Sequence, residues 1–427
     1  MKKLLIITYY WPPAGGPGVQ RWLKFVKYLP DFDIEPIVYC PENPSYPIID
    51  ESLLGEIPDN LKVSKQPIHE PYRFANFLSG SKASKISSGV IPKKKNQSPI
   101  QQLMLYVRGN FFIPDARKNW VKPSVAFLSE YISKHDIETV ITTGPPHSLH
   151  LIGLQLKQNL NLNWLADFRD PWTTIGYHNK LKLTKSSAKK HQDLEREVLN
   201  AADRIIVTSN NTKLEFSKKT DTPVEVITNG YDVVNMSKPE KDQQFSLAHI
   251  GSLLSERNPR MLWQALNELV TENVDFRQHL QLKLAGVVGQ EVLDSINDHG
   301  LNPYLKNLGY LSHDDAVRAQ KSSQLLLLIE IDSEDTKAII PGKLFEYMVS
   351  GTPILAIGPQ HSDVEKIIQK TNTGSYFLYQ QKEDIKSKIL FLFEEFKSGN
   401  LKVNPIGLQK YSRKALTETL ANVISEI

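Results

Sequence analysis

The sequence predicts an α/β protein built around two parallel β-sheets, and three observations carry this prediction. Short apolar runs alternate with amphipathic helical stretches, which is the pattern of strand–helix–strand units. The runs fall into two series, separated by a polar stretch that contains the turn signal Asn229-Gly230. The 427 residues also exceed what one hydrophobic core usually organises, so two large domains are expected.

Nine apolar runs are the predicted strands. Those of the first sheet are residues 3–9, 37–40, 139–142, 163–166 and 204–208. Those of the second sheet are residues 246–250, 281–284, 324–329 and 353–357. The turn signal and the charged stretch 238–242 that follows it indicate a boundary between Val226 and Gln244, which we place near residue 235. We therefore expect an N-terminal domain over 1–235, a C-terminal domain over 236–405 and a final helical segment over 406–427.

Composition excludes several classes of protein. With 40% hydrophobic and 23% charged residues, the chain has ordinary globular composition, and its net charge of +4 gives no reason to expect a nucleic-acid partner. Cys40 is the only cysteine, which fits a reducing compartment. The start of the chain imitates a signal peptide, but Pro12 and Pro13 interrupt the apolar run. No segment has the roughly 20 apolar residues of a membrane span, so we expect a cytoplasmic protein.

A glycine-rich loop, residues 11–18, follows the first predicted strand and precedes a helical stretch. Gly16 and Gly18 would let backbone amides approach an anionic or phosphate group at the helix start. A dinucleotide fingerprint would need Gly or Ala at Arg21 and an acidic residue near Tyr39, so NAD is not expected. A glycine turn with a purely structural role remains the alternative.

Two loops of the second series carry cations beside flexible backbone. Gly251 and Ser252 close a strand, and Arg257 follows before the next helix, at the edge of an open α/β sheet where ligands bind. The planar fork of arginine suits a diphosphate, although a solvated loop arginine explains the same residue.

The segment 340–353, IPGKLFEYMVSGTP, predicts a helix that begins at Pro341 and Gly342. Lys343 in its first turn and Glu346 three residues later lie close enough on one helix face to share a ligand. A phosphate would meet free amides and Lys343, and Glu346 would accept hydrogen bonds from ribose hydroxyls. The alternative is a local Lys–Glu pair, which contributes about 0.5 kcal/mol when exposed.

Several segments in order resemble the bacterial glycosyltransferases of family 4, the retaining group with the GT-B fold. They are ITTGPPHSLHLIG, ADFRDPW, AADRIIVTSN, VITNGYD, HIGSL and PGKLFEYMVSGTPILAIG, and the likeness runs from the first strand to about residue 375. The resemblance implies two Rossmann-like domains that face an interdomain cleft, with the acceptor mostly on the N-terminal domain and the nucleotide sugar mostly on the C-terminal one. It also implies that the last helix, within residues 412–427, returns to the N-terminal domain.

Carried over residue by residue, Arg257 and Lys343 resemble the basic pair that binds the donor diphosphate, and Glu346 resembles the ribose-binding glutamate. Gly309, Tyr310 and Leu311 resemble the loop beside the base. The chain departs from the family's Glu-x7-Glu pattern, because Ala338 stands where the first glutamate is expected. Either Glu334 or Asp335 replaces it, or backbone amides of residues 340–342 contact the sugar. The donor-binding set is Gly16, Gly18, Gly251, Ser252, Arg257, Tyr310, Leu311, Pro341, Gly342, Lys343, Leu344 and Glu346.

Catalysis without a protein nucleophile needs a stabilised leaving diphosphate and an acceptor hydroxyl that loses its proton. We assign the first task to Arg257 and Lys343, since positioned cations act where charge develops. His147, Asp167 and Asp170 are the candidates that orient the acceptor. A structural histidine is an equally good interpretation of His147. No obligatory metal or cofactor is expected, because the sequence has no Cys/His cluster and no paired-aspartate signature.

The sequence therefore predicts a transferase that moves a sugar, with retention, from a nucleotide-sugar donor to a glycan or lipid-linked acceptor in surface polysaccharide assembly. A nucleotide-sugar epimerase of the same architecture and a catalytically silent nucleotide-sugar binder are the alternatives. An epimerase would convert the donor without an acceptor, and a silent binder would not turn it over.

One stretch also suggests peripheral contact with the inner face of a membrane. Residues 79–98 are polar and contain Lys93, Lys94 and Lys95, and the aromatic and aliphatic residues 103–112 follow, with Arg108 among them. The lysines would attract anionic lipid and the apolar residues would rest in the interface. A solvated loop followed by a core-packed segment explains the same residues.

Overall fold

The computed structural model describes residues 1–70, 99–176, 178–232 and 239–427. The chain divides into two compact units, one formed by Met1–Asn229 with Arg413–Ile427 and the other by Gly230–Ser412. We call them the N-terminal unit and the C-terminal unit. The predicted boundary at residue 235 lies outside the described residues.

The N-terminal unit contains a parallel sheet of seven strands within its described residues, in the order β3-β2-β1-β4-β5-β6-β7. The strands are β1 (Lys2–Ile7), β2 (Ile34–Pro41), β3 (Lys62–Gln66), β4 (Thr139–Gly144), β5 (Asn163–Phe168), β6 (Arg204–Val207) and β7 (Val224–Val226). The helices are α1 (Pro17–Tyr28), α2 (Pro99–Phe111), α3 (Val121–His135), α4 (Ser148–Asn159), α5 (Lys185–Ala201) and α6 (Asn210–Phe216).

The C-terminal unit contains a parallel sheet of six strands in its described part, in the order β10-β9-β8-β11-β12-β13. The strands are β8 (Phe245–Ile250), β9 (Leu280–Ala285), β10 (Leu305–Gly309), β11 (Leu325–Ile329), β12 (Ile354–Gly358) and β13 (Gly374–Leu378). The helices are α7 (Arg260–Glu272), α8 (Val274–His279), α9 (Gln290–Asp298), α10 (His313–Ser322), α11 (Lys343–Val349), α12 (Asp363–Thr371) and α13 (Lys382–Lys397).

Helices cover both faces of each sheet, which explains why the central strands are continuous apolar runs rather than alternating ones. Every residue of β8 and of β11 is buried. In the N-terminal unit, the amphipathic helix α1 places Trp22 and Val26 in the core beside Leu4 and Ile6 of β1. Each sheet is therefore a rigid platform whose carboxyl edge positions the loops that follow the strands.

The last helix, α14 (Arg413–Ser425), belongs to the N-terminal unit. Leu420 and Ile424 join the core cluster that contains Trp22 of α1. At the helix start, the Arg413 guanidinium donates a hydrogen bond of 3.1 Å to the side-chain oxygen of Gln20. The chain thus returns to its first unit after completing the second.

No helix in the described part of the chain is both long and apolar enough to cross a lipid bilayer. Lys93, Lys94 and Lys95, to which we assigned attraction to anionic lipid, lie outside the described residues. The apolar segment that follows them forms α2.

Candidate functional site

The carboxyl edge of the C-terminal sheet brings the loop after β8 against the first residue of α11. Gly251 follows β8 with a φ of 111°, and a Cβ placed on it would come within 2.7 Å of the Lys343 Nζ. The lysine ammonium therefore lies directly on the backbone of Gly251. Gly251 and Lys343, which are 92 positions apart in the chain and which we placed in one donor-binding set, are neighbours in the fold.

His249 holds the Lys343 ammonium in place. Its Nε2 lies 3.3 Å from the Lys343 Nζ, and its Nδ1 lies 3.0 Å from the carbonyl oxygen of Leu327. Burial, and then the charge of Lys343, lower the pKa of His249 well below its usual value, so the ring is neutral. Nδ1–H then donates to Leu327, and Nε2 accepts a hydrogen bond from the ammonium. Our prediction from sequence quoted His249 in the HIGSL segment but did not assign it a role.

Arg257 ends a short 3-10 turn, Ser255–Arg257, and adds a second positive charge near Lys343. Among the described residues, neither side chain has a carboxylate within ion-pair distance, and the buried Nε of Arg257 has no hydrogen-bond partner. Burial and then the Arg257 charge lower the pKa of Lys343 to about 7, although Glu346 opposes this shift. Two cations that repel each other, with no carboxylate in ion-pair contact, form a site for an anion.

We expect Gly251→Ala to weaken anion binding at this site. The added Cβ would collide with Lys343, and a φ of 111° is strained for any L side chain. Gly399→Ala is the matched control, since its φ is 70° but its Cβ would meet no described atom within 4 Å. Thermal melts should show about 1–2 kcal/mol of destabilisation in both, whereas titration with a nucleoside diphosphate should show weaker binding only in Gly251→Ala. Equal affinities in the two variants would contradict the placement of Lys343.

The remaining donor-set residues near α11 differ in exposure. Pro341 and Gly342 are half-buried and precede the helix, while Leu344 is buried in the core beneath it. Glu346 is half-buried and accepts a hydrogen bond of 2.9 Å from the Gln320 side-chain nitrogen, which fixes one of its oxygens. The helix has only seven residues, so its dipole adds little and the Lys343 charge is the main attraction for an anion.

The loop after β10 presents an exposed aromatic ring. Tyr310 is 92% exposed, and Leu311 beside it is half-buried. Gly309 bends the chain there with a φ of 64°, and its carbonyl accepts a hydrogen bond of 2.6 Å from the Gly286 amide. Ser252 is exposed after β8. A tyrosine ring free of packing can stack on a planar ligand.

A buried glutamate that sequence reasoning missed stands directly after β11. Glu330 is 4% exposed, and its carboxylate accepts hydrogen bonds from Ser362 Oγ at 2.8 Å and Tyr376 OH at 2.7 Å. The Tyr379 hydroxyl donates to its backbone carbonyl at 2.6 Å. Burial raises the pKa of Glu330 to about 7, against the hydrogen bonds and the charge of Arg257. Its only signal in the sequence is a carboxylate at the end of an apolar run.

The two candidates that we named to replace the glutamate expected at Ala338 are solvent-facing. Glu334 and Asp335 lie in the exposed turn Glu334–Thr336, where Glu334 forms an ion pair with Lys337. The turn therefore offers only exposed carboxylates, whereas that of Glu330 is buried at the end of β11.

In the N-terminal unit, Asp167 is wholly buried and connects three elements. Its carboxylate accepts hydrogen bonds from Arg21 at 3.0 Å, the Trp22 indole at 2.9 Å and the Thr143 hydroxyl at 2.8 Å. These donors occupy both oxygens, so Asp167 ties β5 to α1 and β4. Asp170, which we predicted beside it in the acceptor site, is half-buried, and burial raises the pKa of its carboxyl group.

Gly18 allows the start of α1 to approach the guanidinium of Arg169. A Cβ on Gly18 would overlap that guanidinium, which donates hydrogen bonds to the carbonyls of Gly144 and Pro145. Gly16 precedes the helix with a φ of 107° and has open space on its Cβ side. The glycine loop therefore packs against an arginine that is fixed at the carboxyl edge of this sheet.

His147 lies immediately before α4, is 5% exposed and stacks on Trp172 with ring centroids 5.0 Å apart and an angle of 3°. Neither of its ring nitrogens has a hydrogen-bond partner among the described residues. Burial lowers its pKa well below the usual value, and the neighbouring His150 and Arg169 add to the effect, so the ring is neutral. In the described chain, no group of His, Cys, Asp and Glu side chains is arranged to hold a metal ion.

Comparison with known proteins identifies the fold. No family model matches the chain, and no curated protein sequence matches it significantly. The lipopolysaccharide outer core galactosyltransferase WaaB is similar in structure, with a TM-score of 0.59, 13% identity and coverage of 100% of both chains. Sucrose-phosphate synthase from Thermosynechococcus elongatus gives 0.58 at 13% identity, covering 100% of this chain and 99% of that one.

A Listeria monocytogenes protein assigned as a UDP-N-acetylglucosamine 2-epimerase is also similar, with a TM-score of 0.54 and 12% identity over 99% of this chain and 96% of that one. At such identities the likeness establishes the fold. The predicted α/β architecture of the GT-B type, with two Rossmann-like parts, is confirmed.

Proposed function

We propose that this protein is a glycosyltransferase that moves a sugar from a nucleotide-sugar donor to a glycan or lipid-linked acceptor, in the assembly of surface polysaccharide. The observation that carries the proposal is the pair Arg257 and Lys343 at the carboxyl edge of the C-terminal sheet, neither of which has a carboxylate within ion-pair distance in the described chain. The family 4 resemblance and the fold shared with a galactosyltransferase support it.

The donor is held by the C-terminal unit. Its diphosphate makes the ion-pair contacts that Arg257 and Lys343 lack within the described chain, and its sugar contacts the backbone near Pro341 and Gly342. One oxygen of Glu346 is fixed by Gln320, and the carboxylate accepts hydrogen bonds from the ribose hydroxyls. The exposed ring of Tyr310 stacks on the base. The resemblance to family 4 supports the assignments of Arg257, Lys343, Glu346 and Tyr310. The sugar contact is the point at which the chain departs from the family, because Ala338 replaces the expected glutamate.

In the transfer, the bond between the anomeric carbon and the diphosphate oxygen breaks, and a bond from that carbon to the acceptor oxygen forms. Negative charge grows on the departing diphosphate, where Arg257 and the ammonium of Lys343 stabilise it. The hydroxyl proton of the acceptor passes to a basic group. We propose that the configuration at the anomeric carbon is retained, as the family resemblance implies. No metal is required in this scheme because two protein cations face the diphosphate.

The acceptor is held by the N-terminal unit, where His147 and Asp170 lie near Arg169. The neutral ring of His147 can accept a hydrogen bond from an acceptor hydroxyl and so orient it. Asp167 acts indirectly in this scheme, since its bonds to Arg21, Trp22 and Thr143 fix β5, which leads into Arg169 and Asp170.

Three measurements test the function and its stereochemistry. A thermal-shift screen of nucleotide sugars should reveal one preferred donor, since a ligand at a hundred times its dissociation constant stabilises by about 2.7 kcal/mol. Sustained release of nucleoside diphosphate that depends on an added glycan or lipid-linked acceptor supports the transferase. Conversion of the donor alone to its epimer supports an epimerase, and binding without turnover supports a silent binder. NMR of the product's anomeric signal reports retention or inversion.

We expect His147→Phe to lower turnover while raising thermal stability. Phenylalanine keeps the stacking on Trp172 and removes two buried nitrogens that have no partner, and relief of such a group is worth about 1 kcal/mol or more. If the imidazole contacts the acceptor, kcat falls about 10²-fold or more, whereas donor affinity is unchanged. Unaltered kcat in a stabilised variant would return His147 to a structural role.

A further inference from the structure

Helix α2 is apolar on two opposite faces, and one of them rests on the segment that precedes α5. Leu105 packs on Leu181. At Gly109, a Cβ would come within 2.7 Å of the Leu181 carbonyl oxygen and of the Leu183 side chain. Glycine in the last turn of the helix thus permits close approach of the two backbones.

The opposite face of α2 is exposed. Leu103, Tyr106, Val107 and Phe111 recur at the three- and four-residue spacing of one helix face, and they are 36–62% exposed. The rings of Tyr106 and Phe111 contact each other edge to face, with centroids 6.5 Å apart. Four large apolar side chains side by side on a surface helix mark an interaction surface.

Lysines lie beside both ends of helix α2. The Lys182 Nζ donates to the Gln102 side chain at 2.8 Å, and Asn110 bonds to the Lys182 carbonyl and the Thr184 amide. These contacts align residues 180–185 with α2, and Lys180, Lys182 and Lys185 are exposed there. At the far end, the Lys118 Nζ donates to the Phe111 carbonyl at 2.5 Å. No acidic residue occurs within 99–114 or 178–192.

We propose that this surface, composed of Leu103, Tyr106, Val107 and Phe111 with Lys118, Lys180, Lys182 and Lys185, docks the protein on an anionic lipid bilayer. The apolar side chains enter the interface, and the lysines meet the headgroup phosphates. Charge favours a lipid bilayer over two other occupants of this surface. A second copy of the chain would bring lysines against lysines in a symmetric contact. The chain's own residues 71–98 carry six basic and no acidic residues, so their charge does not complement the lysines either.

Sedimentation with vesicles that contain phosphatidylglycerol tests the surface directly, and it requires no catalytic activity. Wild-type protein should bind at low salt, and binding should weaken as salt rises. Replacing Lys180, Lys182 and Lys185 by Gln should weaken binding on the order of 100-fold. Leu103→Ser with Phe111→Ser should weaken it roughly tenfold or more. Thermal melts verify that each variant is folded.

Matched controls distinguish a specific effect of this surface on vesicle binding from a general effect of net charge or exposed hydrophobic residues. Replacing Lys366, Lys370 and Lys402 of the C-terminal unit by Gln removes the same charge, and Leu214→Ser with Val274→Ser removes two isolated apolar residues, 58% and 57% exposed. Both controls should bind vesicles as wild type does. Absence of wild-type binding, or equal losses in the controls, would overturn the proposal. So would a wild-type dimer in light scattering that Leu103→Ser with Phe111→Ser converts to monomer. Donor binding is measured separately, so failure here leaves the proposed transfer untouched.

Discussion

Replacing Lys343 by Ala should weaken binding of the preferred nucleotide sugar by about 10- to 100-fold, because one charge-assisted contact to the diphosphate is lost. Turnover should fall further, by about 10²- to 10³-fold, since the same ammonium faces the charge that grows on the leaving group. Isothermal titration and single-turnover transfer measure the two effects separately.

Arg257→Ala should act in the same direction, and the reason lies in what the site contains. With both side chains present, each cation raises the energy of the other, and a diphosphate relieves that repulsion. Removal of either cation weakens the electrostatic attraction for the diphosphate, and the double variant should lose detectable donor binding. The two losses should be non-additive, because the cations share one ligand.

Two neighbouring cations serve as controls for this pair. Lys321→Ala on α10 and Arg260→Ala at the start of α7 remove the same charges from the same unit at other positions. We expect donor affinity within twofold of wild type for both. If Lys343→Ala and Arg257→Ala remain folded and transfer sugar at wild-type rates, the diphosphate does not bind here.

The central strands could be predicted from sequence, whereas the strands at the sheet edges could not. All nine predicted runs correspond to strands, and the four that were missed, β3, β7, β10 and β13, occupy the edges of the two sheets. An edge strand is covered on fewer sides, so it needs no continuous apolar run. The sequence of β10, Leu305–Gly309, is mostly exposed and reads as an ordinary polar loop.

In the candidate site, contacts between residues close in sequence could be predicted, whereas contacts between residues far apart in sequence could not. Lys343 and Glu346 are three residues apart, so helix periodicity alone predicts that they lie on the same helix face. The neighbours that control Lys343 come from elsewhere in the chain, because parallel sheets align the ends of strands that are distant in sequence. His249 and Glu330 were missed for this reason, since each lies at a strand end and acquires its partners only in the folded sheet.

Asp167 illustrates the opposite difficulty. From sequence, an Asp-x-x-Asp pair around an arginine suggests an acid–base group, and chemistry alone cannot distinguish it from a structural carboxylate. Burial and three hydrogen-bond donors give Asp167 the environment of a structural group. Its hydrogen-bond donors Arg21 and Trp22 are on α1, about 145 residues earlier in the chain. No local sequence pattern predicts such a pairing.

Donor affinity should fall as pH rises above about 7. The pKa of Lys343 in the free protein is about 7, because burial and Arg257 disfavour the ammonium. A bound diphosphate favours the ammonium, so above pH 7 the complex holds a proton that the free protein has released. Binding then takes up that proton, and affinity should fall by up to about tenfold per pH unit.

The other groups near Lys343 act in the same direction or not at all. His249 stays neutral through this range, because its pKa is lowered well below the usual value. Glu330, with a pKa of about 7, ionises as pH rises, and its negative charge then weakens the attraction of Arg257 for an anion. The slope of affinity against pH is therefore the sum of a lysine effect and a glutamate effect, which two variants can separate.

Lys343→Arg keeps the positive charge at every pH near neutrality. The slope of donor affinity against pH should therefore become smaller and retain only the part due to Glu330. Glu330→Gln should remove the Glu330 part of the pH dependence, while its amide oxygen can still accept the hydrogen bond from Tyr376. Titrations of one nucleotide sugar between about pH 6.5 and 8.5, in buffers of different ionisation enthalpy, measure both the slope and the protons taken up. Titration of the nucleotide itself cancels in the comparison. A wild-type affinity that does not change over this range, or an unaltered slope in Lys343→Arg, would show that the Lys343 ammonium is not the group that meets the diphosphate.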